Sequence, residues 1–138
     1  MASAPHPVRQ AAAIPVKAGR VCLVLSSSGR RWVVPKGHIE RGQTAGEAAL
    51  QEAWEEAGLT GVLHPEPLGS YCYEKCGRTY HVTVFLMAVA GVADQWPERD
   101  QRGRRWVRPE QVPAYVEEPG LRLLLRRLVA QDAVAAPV

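Results

Sequence analysis

Three glutamates lie close together in the segment 44–57, whose sequence is TAGEAALQEAWEEA. On a helix, Glu52, Glu55 and Glu56 share one face, because their spacing is i, i+3 and i+4. Like charges at this spacing cost about 0.2–0.5 kcal/mol per pair, and the segment contains no Lys or Arg to offset them. A divalent cation removes the repulsion, since Mg²⁺ prefers carboxylate oxygens and commonly bridges them to substrate phosphates. The triplet alone also fits an acidic, solvated helix face without catalytic meaning.

The residues that precede this segment favour the metal site. Residues 32–42 read WVVPKGHIERG. A loop with Gly37 and Gly42 brings the backbone close to phosphate oxygens, and Lys36 can neutralise their charge. A strand, a loop with glycine and lysine, and an acidic helix together predict a site for a metal ion and a phosphorylated substrate, with Lys36 and Gly37 as substrate-binding residues.

Clear signals bound the acidic helix. Thr44 and Glu47 form a capping-box pair at its start, and Gly58 supplies the left-handed residue that ends it. Its opposite side is small and apolar, so it can pack closely on a sheet; that side comprises Gly46, Ala49, Leu50, Ala53 and Ala57.

The rest of the chain predicts strands and a closing helix. Segments rich in branched and aromatic residues predict strands at 12–17, 21–26, 31–34, 61–68, 71–73, 80–89 and 104–107. A helical turn is predicted at 109–115 and an amphipathic helix at 121–129. This order predicts an α/β or α+β fold, in which helices pack in layers on a mixed sheet.

Length and composition fit one domain. The 138 residues lie within the usual domain range of about 100–150 residues. We predict a flexible tail at 1–10, a domain at 11–130 and a second flexible tail at 131–138. Since no apolar run approaches the ~20 residues that span a bilayer and no secretory signal is visible, we expect a cytoplasmic protein without membrane contact.

The chain is basic, with a formal charge of +3 and a pI of about 9.0. A basic surface favours anionic partners such as nucleotides, inositol phosphates or nucleic acid, although it can equally serve solubility alone. Much of the excess lies at 99–105, RDQRGRR, and in the closing helix.

The acidic segment resembles the box of the Nudix family, G-x5-E-x7-R-E-U-x-E-E-x-G-U, in which U is a bulky aliphatic residue. The box spacing is intact, and the matching positions are Gly37, Glu52, Glu55, Glu56, Gly58 and Leu59. The departures are Gln43, Gln51 and Ala53. The resemblance extends over about 11–129 and implies a Nudix fold, with a mixed β-sheet sandwiched between helices.

The resemblance also implies chemistry. Glu52, Glu55 and Glu56 become the ligands of Mg²⁺ or Mn²⁺. In the family the box arginine helps to orient the carboxylates, and Gln51 can imitate it only with neutral hydrogen bonds in place of a charged fork. Because the three glutamates are retained, we expect an active enzyme.

Within the family, WVVPKGHIERG looks most like the diadenosine tetraphosphate hydrolases, and the diphosphoinositol polyphosphate hydrolases are the close alternative. The first group implies an assisting carboxylate before a later tryptophan, for which Asp100 is the candidate and Glu98 its rival. Tyr73 and Tyr80 are candidates for stacking on a base, although tyrosines near strands also serve as core residues.

The predicted function is hydrolysis of a phosphoanhydride bond in a nucleoside polyphosphate or a related diphosphate-linked compound. The metal polarises the phosphate and lowers the pKa of its bound water, Glu52, Glu55, Glu56 or Asp100 accepts the proton, and Lys36 stabilises the developing charge. One alternative, motivated by Gln43 and Gln51, is a catalytically weak Nudix module that binds a nucleotide.

A third hypothesis, motivated by the basic residues near Arg102 and Arg127, is action on RNA. We consider a nucleic-acid partner less favoured than a small phosphorylated substrate, and we expect a monomer or a homodimer.

Overall fold

The computed structural model describes residues 6–135, with side chains through Leu128. The strands are β1 (Val8–Lys17), β2 (Arg20–Leu25), β3 (Trp32–Val33), β4 (Lys36–His38), β5 (Leu59–Leu63), β6 (Gly69–Lys75), β7 (Arg78–Val92) and β8 (Arg104–Val107). The helices are α1 (Ala45–Ala57), α2 (Val112–Tyr115) and α3 (Pro119–Ala135), with a 3₁₀ turn at Pro109–Gln111. None of the described helices is long and apolar enough to cross a membrane.

The sheet is mixed and is built around two long strands. Its order is β3-β2-β1-β7-β5, with β4 paired to β1, β6 to β7 and β8 to β2. β1 and β7 run parallel, from the pair Val8↔Tyr80 to the pair Val16↔Ala88. The other pairs are antiparallel. The loop between β7 and β8 therefore returns the chain to β2, with which β8 pairs.

Helices pack on both faces of the sheet. Alternate residues of a strand point to opposite faces, so neighbouring residues of β1 contact different helices. Ala11 and Ala13 of β1 pack in the cluster that contains α1. Ala12 and Ile14 pack in the cluster that contains α2 and α3. The predicted mixed sheet between helices is confirmed.

α1 has the predicted boundaries. Glu47 N–H donates to Thr44 Oγ1 at 3.1 Å, and Thr44 N–H donates to Glu47 Oε1 at 2.8 Å, which completes the capping box. Gly58 ends the helix with φ 67°. The side packed on the sheet is composed of small residues, so the acidic face of α1 lies close to the strand ends; the buried small residues are Ala48, Ala49, Ala53 and Ala57.

Several predicted boundaries need correction. Residues 36–38, expected as a loop, form β4, because they pair with residues 10–12 of β1. β1 begins at Val8, before the predicted domain start at residue 11, and α3 continues to Ala135, past the predicted end at residue 130. The early start of β1 follows from its pairing with β7, a partner distant in sequence that local patterns do not reveal. Of the predicted tails at 1–10 and 131–138, the parts at 1–5 and 136–138 lie outside the described residues.

Candidate active site

The acidic face of α1 meets the end of β2, the start of β4 and the β7–β8 loop. Glu56 lies at this junction and is only 3% exposed. The backbone N–H of Lys36 donates to Glu56 Oε2 at 3.3 Å. Arg102 Nη1 lies 3.4 Å from Glu56 Oε1. Groups from outside α1 therefore contact both oxygens of the Glu56 carboxyl group.

Glu52 lies beside Glu56 and against Gly37. A Cβ atom at residue 37 would overlap the Glu52 carboxyl group, so any larger residue there would displace that carboxyl group from its present position. The two carboxyl groups lie within hydrogen-bonding reach of each other once one of them carries a proton. Gly37 therefore shapes the site through the absence of its side chain.

Burial makes this pair retain a proton. Burial first, and the hydrogen bond with Glu52 second, raise the pKa of Glu56 to about 9, against the opposing charge of Arg102. Burial also raises the pKa of Glu52, against the hydrogen bond from Glu56. The direction of both shifts favours a proton shared by Glu52 and Glu56 in the metal-free chain, which avoids two adjacent negative charges.

Glu55 has a different set of partners. Gln51 Nε2 donates to Glu55 Oε1 at 2.9 Å, and Gln43 Nε2 donates to Gln51 Oε1 at 2.6 Å. The relay begins at the Glu40 N–H, which donates to Gln43 Oε1 at 3.0 Å. Gln51 thus holds Glu55 by the single neutral hydrogen bond that its amide allows.

The donor chemistry at this site fits Mg²⁺. Glu52 and Glu56 offer adjacent carboxylate oxygens, and Mg²⁺ is commonly bound through one or two carboxylates while it keeps several waters. Among the side chains described, those of residues 6–128, no three Asp, Glu, His or Cys side chains already converge on one point. The structure brings together two of the predicted ligands, Glu52 and Glu56, and turns the third, Glu55, toward Gln51.

The β7–β8 loop carries both sequence candidates for an assisting carboxylate, Asp100 and Glu98, and Glu98 contacts α1. Its backbone N–H donates to the Glu55 carbonyl at 3.0 Å, and its Oε1 accepts from Arg102 Nε at 2.7 Å. The negative charge of Glu98 also raises the pKa of Glu52. Asp100 is exposed on the same loop. Of the two sequence candidates, Glu98 is the one that contacts the acidic helix.

Two arginines, one in this loop and one at the start of β8, also contact the site and were not predicted as site residues. The sequence predicts a basic surface at 99–105, whereas the Arg102 side chain is only 17% exposed and donates to the Leu25 carbonyl at 3.0 Å. Arg104 Nη1 donates to the Ala57 carbonyl at 2.8 Å. One signal was present: in the predicted strand 104–107, alternation places Arg104 on the same side as Trp106, which packs against the α1 layer. No local pattern indicates the direction of Arg102.

Lys36 also faces a second region, which contains both tyrosine candidates. Its Nζ lies 4.9 Å from the centre of the Tyr73 ring, and burial lowers the pKa of this amine. The rings of Tyr73 and Tyr80 are stacked, with centres 4.9 Å apart and planes 8° from parallel. Tyr73 is fixed further by its O–H, which donates to Gln10 Oε1 at 2.6 Å.

A cavity of about 230 Å³ opens beside Tyr73. Its polar lining carries positive charge from Arg31, Lys36 and Lys75 and negative charge from Glu74, Glu117 and Glu118. Its apolar lining includes Trp32, Tyr71 and Leu121. Lys36 connects the two regions, because its backbone contacts Glu56 while its side chain lines the cavity.

Comparison with known proteins identifies the family. A family model described as the NUDIX domain matches residues 6–128. The chain belongs to the Nudix family. Nudix hydrolase 4 of Arabidopsis thaliana is 38% identical over 90 residues, which cover 64% of this chain and 43% of that protein. A bovine relative, diphosphoinositol polyphosphate phosphohydrolase 3-beta, is 32% identical over 93 residues, covering 64% of this chain and 56% of that protein. The chain spans about half the length of these curated relatives.

Solved structures confirm the Nudix fold. The crystal structure of an Ap4A hydrolase from C. elegans superposes with a TM-score of 0.75 at 24% identity, covering 91% of this chain and 98% of that one. At this identity the likeness concerns the fold alone. The predicted family and fold are both confirmed.

Proposed function

We propose that this Nudix chain hydrolyses a phosphoanhydride bond in a nucleoside polyphosphate, with a diadenosine polyphosphate as the favoured substrate. The observation that carries the proposal is the position of Glu56. It is buried beside Glu52, it is held by the Lys36 backbone and Arg102, and it adjoins a cavity that the Lys36 side chain lines. A pair of adjacent carboxyl groups beside a cavity lined by aromatic rings and by the cationic groups of Arg31, Lys36 and Lys75 suits a substrate that combines phosphates with a base.

The proposed cofactor is Mg²⁺ or Mn²⁺, held by Glu52 and Glu56, with Glu55 as the third predicted ligand. When bound, such an ion polarises phosphate oxygens and lowers the pKa of water. The chain's own residues then orient the reactants. Lys36 and its neighbours Arg31 and Lys75 place cationic groups at the cavity for the phosphates.

A proton acceptor is needed for the attacking water. Glu55 is the favoured base, because it is only partly buried and a neutral amide holds it. Glu52, Glu56 and Asp100 remain the alternatives of the sequence prediction. Glu98 joins them, since it contacts both α1 and Arg102.

For the substrate, we propose that the base stacks on Tyr73, the tyrosine that lines the cavity. Tyr80 would support this ring from its stacked position. Gly37 would serve indirectly, because its missing side chain leaves room for Glu52 at the start of β4.

A diphosphoinositol polyphosphate is the second candidate substrate. The bovine relative carries that activity in its name, and the cationic groups of Arg31, Lys36 and Lys75 suit a highly phosphorylated ring. A catalytically weak binding module is the other alternative. Action on RNA is less favoured, because Arg102, which motivated it, is engaged inside the molecule.

An assay panel with Mg²⁺ decides among these functions. It compares diadenosine polyphosphates, diphosphoinositol phosphates, ADP-ribose and oxidised nucleoside triphosphates, and it identifies the products. We expect turnover of a diadenosine polyphosphate with cleavage in the phosphate chain. Turnover of diphosphoinositol phosphates alone would establish the second candidate. Binding without turnover of any compound would establish the binding module.

The cellular setting is also a proposal. We keep the cytoplasm as the expected compartment, although one Arabidopsis relative, Nudix hydrolase 12, is named as mitochondrial. A monomer or homodimer remains the expected assembly, which sedimentation equilibrium would test.

A further inference from the structure

The last turn of α1 presents backbone carbonyl groups that have no partners within the helix. It contains no basic residue of its own to interact with this negative end. Two of the proposed site glutamates, Glu55 and Glu56, lie in this turn. Groups that bind these carbonyls therefore also determine where the Glu55 and Glu56 carboxylates lie.

The β7–β8 loop and the first residue of β8 donate to three consecutive carbonyls of this turn. The Glu98 N–H donates to the Glu55 carbonyl at 3.0 Å. Trp96 Nε1 donates to the Glu56 carbonyl at 3.0 Å. Arg104 Nη1 donates to the Ala57 carbonyl at 2.8 Å. The Trp96 and Arg104 contacts come from side chains, so the identity of each residue decides whether its contact exists.

Trp96 and Arg104 also contact each other. The guanidinium carbon of Arg104 lies 4.2 Å from the centre of the Trp96 ring, which is within cation–π range. The ring covers Gly58, where an added Cβ atom would come within 2.8 Å of it. Gly58 has φ 67°, so both its conformation and this close approach require glycine.

The sheet anchors this arrangement. Arg104 is the register partner of Val24 in β2. The neighbouring residue Leu25 accepts from Arg102, which in turn contacts Glu56. The end of α1 is therefore tied to the central sheet through its carbonyls and through a carboxylate.

We propose that Trp96 and Arg104 are positioning residues for the reaction. By donating to the carbonyls of Glu56 and Ala57, they hold the last turn of α1 in the position in which the Glu56 carboxyl group contacts Glu52 and the Lys36 backbone. The inference rests on the proposed function, in which these carboxylates bind Mg²⁺ or Mn²⁺. Trp96 and Arg104 act on the carboxylates through the backbone and touch no substrate.

The sharpest test removes a single N–H group. Trp96→Phe retains an aromatic ring over Gly58 and beside Arg104 but deletes the donor to the Glu56 carbonyl. Trp54→Phe is the matched control, since Trp54 is an exposed tryptophan on the same helix. Binding of Mn²⁺ alone is followed by the electron paramagnetic resonance signal of the free ion. The values of kcat and KM are measured separately with the substrate that the assay panel identifies.

We expect Trp96→Phe to weaken Mn²⁺ binding and lower kcat by roughly threefold to tenfold, the range of one neutral hydrogen bond, with KM unchanged. Trp54→Phe should match the parent in Mn²⁺ affinity, kcat and KM.

Arg104→Met should reduce Mn²⁺ binding and kcat in the same way as Trp96→Phe. Arg104→Lys should recover most of the loss, because lysine restores a donor and a charge at the helix end. Arg126→Lys, at an exposed position of α3, is its control.

The outcomes separate the two proposals. If Trp96→Phe and Arg104→Met lower the melting temperature while Mn²⁺ binding and kcat equal those of the parent, the two residues are structural only and the inference is overturned. If the parent binds Mn²⁺ but hydrolyses nothing in the panel, the proposed function fails, and the Mn²⁺ affinities still decide the inference. A parent that binds no Mn²⁺ would overturn both.

Discussion

A side-chain hydrogen bond joins Gln43 and Gln51: Gln43 Nε2 donates to Gln51 Oε1 at 2.6 Å. These are the two polar positions at which the chain departs from the Nudix box, where glutamate and arginine stand. The amide nitrogen of Gln51, Nε2, in turn donates to Glu55 Oε1. The two departures therefore form one neutral unit, and neither can be judged alone.

The first prediction concerns this unit. Gln43→Glu removes the donor to Gln51 and places a carboxylate against its carbonyl oxygen, so we expect kcat to fall severalfold. Adding Gln51→Arg should restore much of the activity, because the guanidinium can bind residue 43 and Glu55 at once. The kcat values of the parent, both single variants and the double variant form a cycle that measures the coupling.

Two results would contradict this. Additive effects of the two substitutions would show that the glutamines act independently. Activity that exists only in the double variant, with an inactive parent, would favour the binding-module hypothesis. Melting temperatures of all four proteins serve as the control for folding.

The second prediction concerns the buried carboxyl group. Glu56→Gln retains an oxygen that can accept from the Lys36 N–H but cannot carry the negative charge that a metal ligand needs. We expect turnover to fall by at least about a hundredfold, the scale on which loss of one key electrostatic group acts, while the chain stays folded. Steady-state assays with Mg²⁺ and a thermal melt measure the two effects.

Glu47→Gln is the matched control for Glu56→Gln. Glu47 lies exposed in the first turn of the same helix, and glutamine also serves at this position of a capping box. Near-parent turnover of Glu56→Gln would remove Glu56 from the mechanism, whereas equal losses in both variants would indicate damage to α1 as a whole.

The sequence specified the helix and its acidic face because their signals are local. Thr44, Glu47 and Gly58 bound α1 at the predicted residues. The box spacing identified the family. The parts that were not predicted depend on tertiary contacts: β4 forms by pairing with β1, and Arg102 of the β7–β8 loop and Arg104 at the start of β8 contact α1 from a distant part of the chain. A run of arginines has the same local pattern whether it faces solvent or a buried carboxylate.

The third prediction follows from the raised pKa of Glu56, and it applies to the metal-free chain. Burial first, and the hydrogen bond with Glu52 second, raise this pKa from 4.5 to about 9. Between these values the folded chain holds a proton that the unfolded chain has released. The free energy of unfolding therefore falls as the pH rises through this window. Melting temperatures in the presence of a chelator should decrease from pH 5 to pH 9.

Glu56→Gln tests the assignment of this slope, because glutamine has no proton to release. Its melting temperature should decline less than that of the parent over the same pH range. Parallel curves for the two proteins would assign the pH dependence to other groups. At low pH, where the parent carboxyl group is also neutral, the two proteins should be closest in stability.

The last prediction concerns the cavity. Tyr73 lines it, stacks on Tyr80 and lies under the Lys36 ammonium group. Tyr73→Leu removes the ring, and an aromatic stack contributes about 0.5–1.5 kcal/mol, so we expect KM for a base-containing substrate to rise about twofold to tenfold with little change in kcat. Tyr73→Phe is the matched control, because it keeps the ring and loses only the hydrogen bond to Gln10. A rise in KM that is equal in both variants would trace the effect to Gln10, and an unchanged KM in Tyr73→Leu would place the base elsewhere.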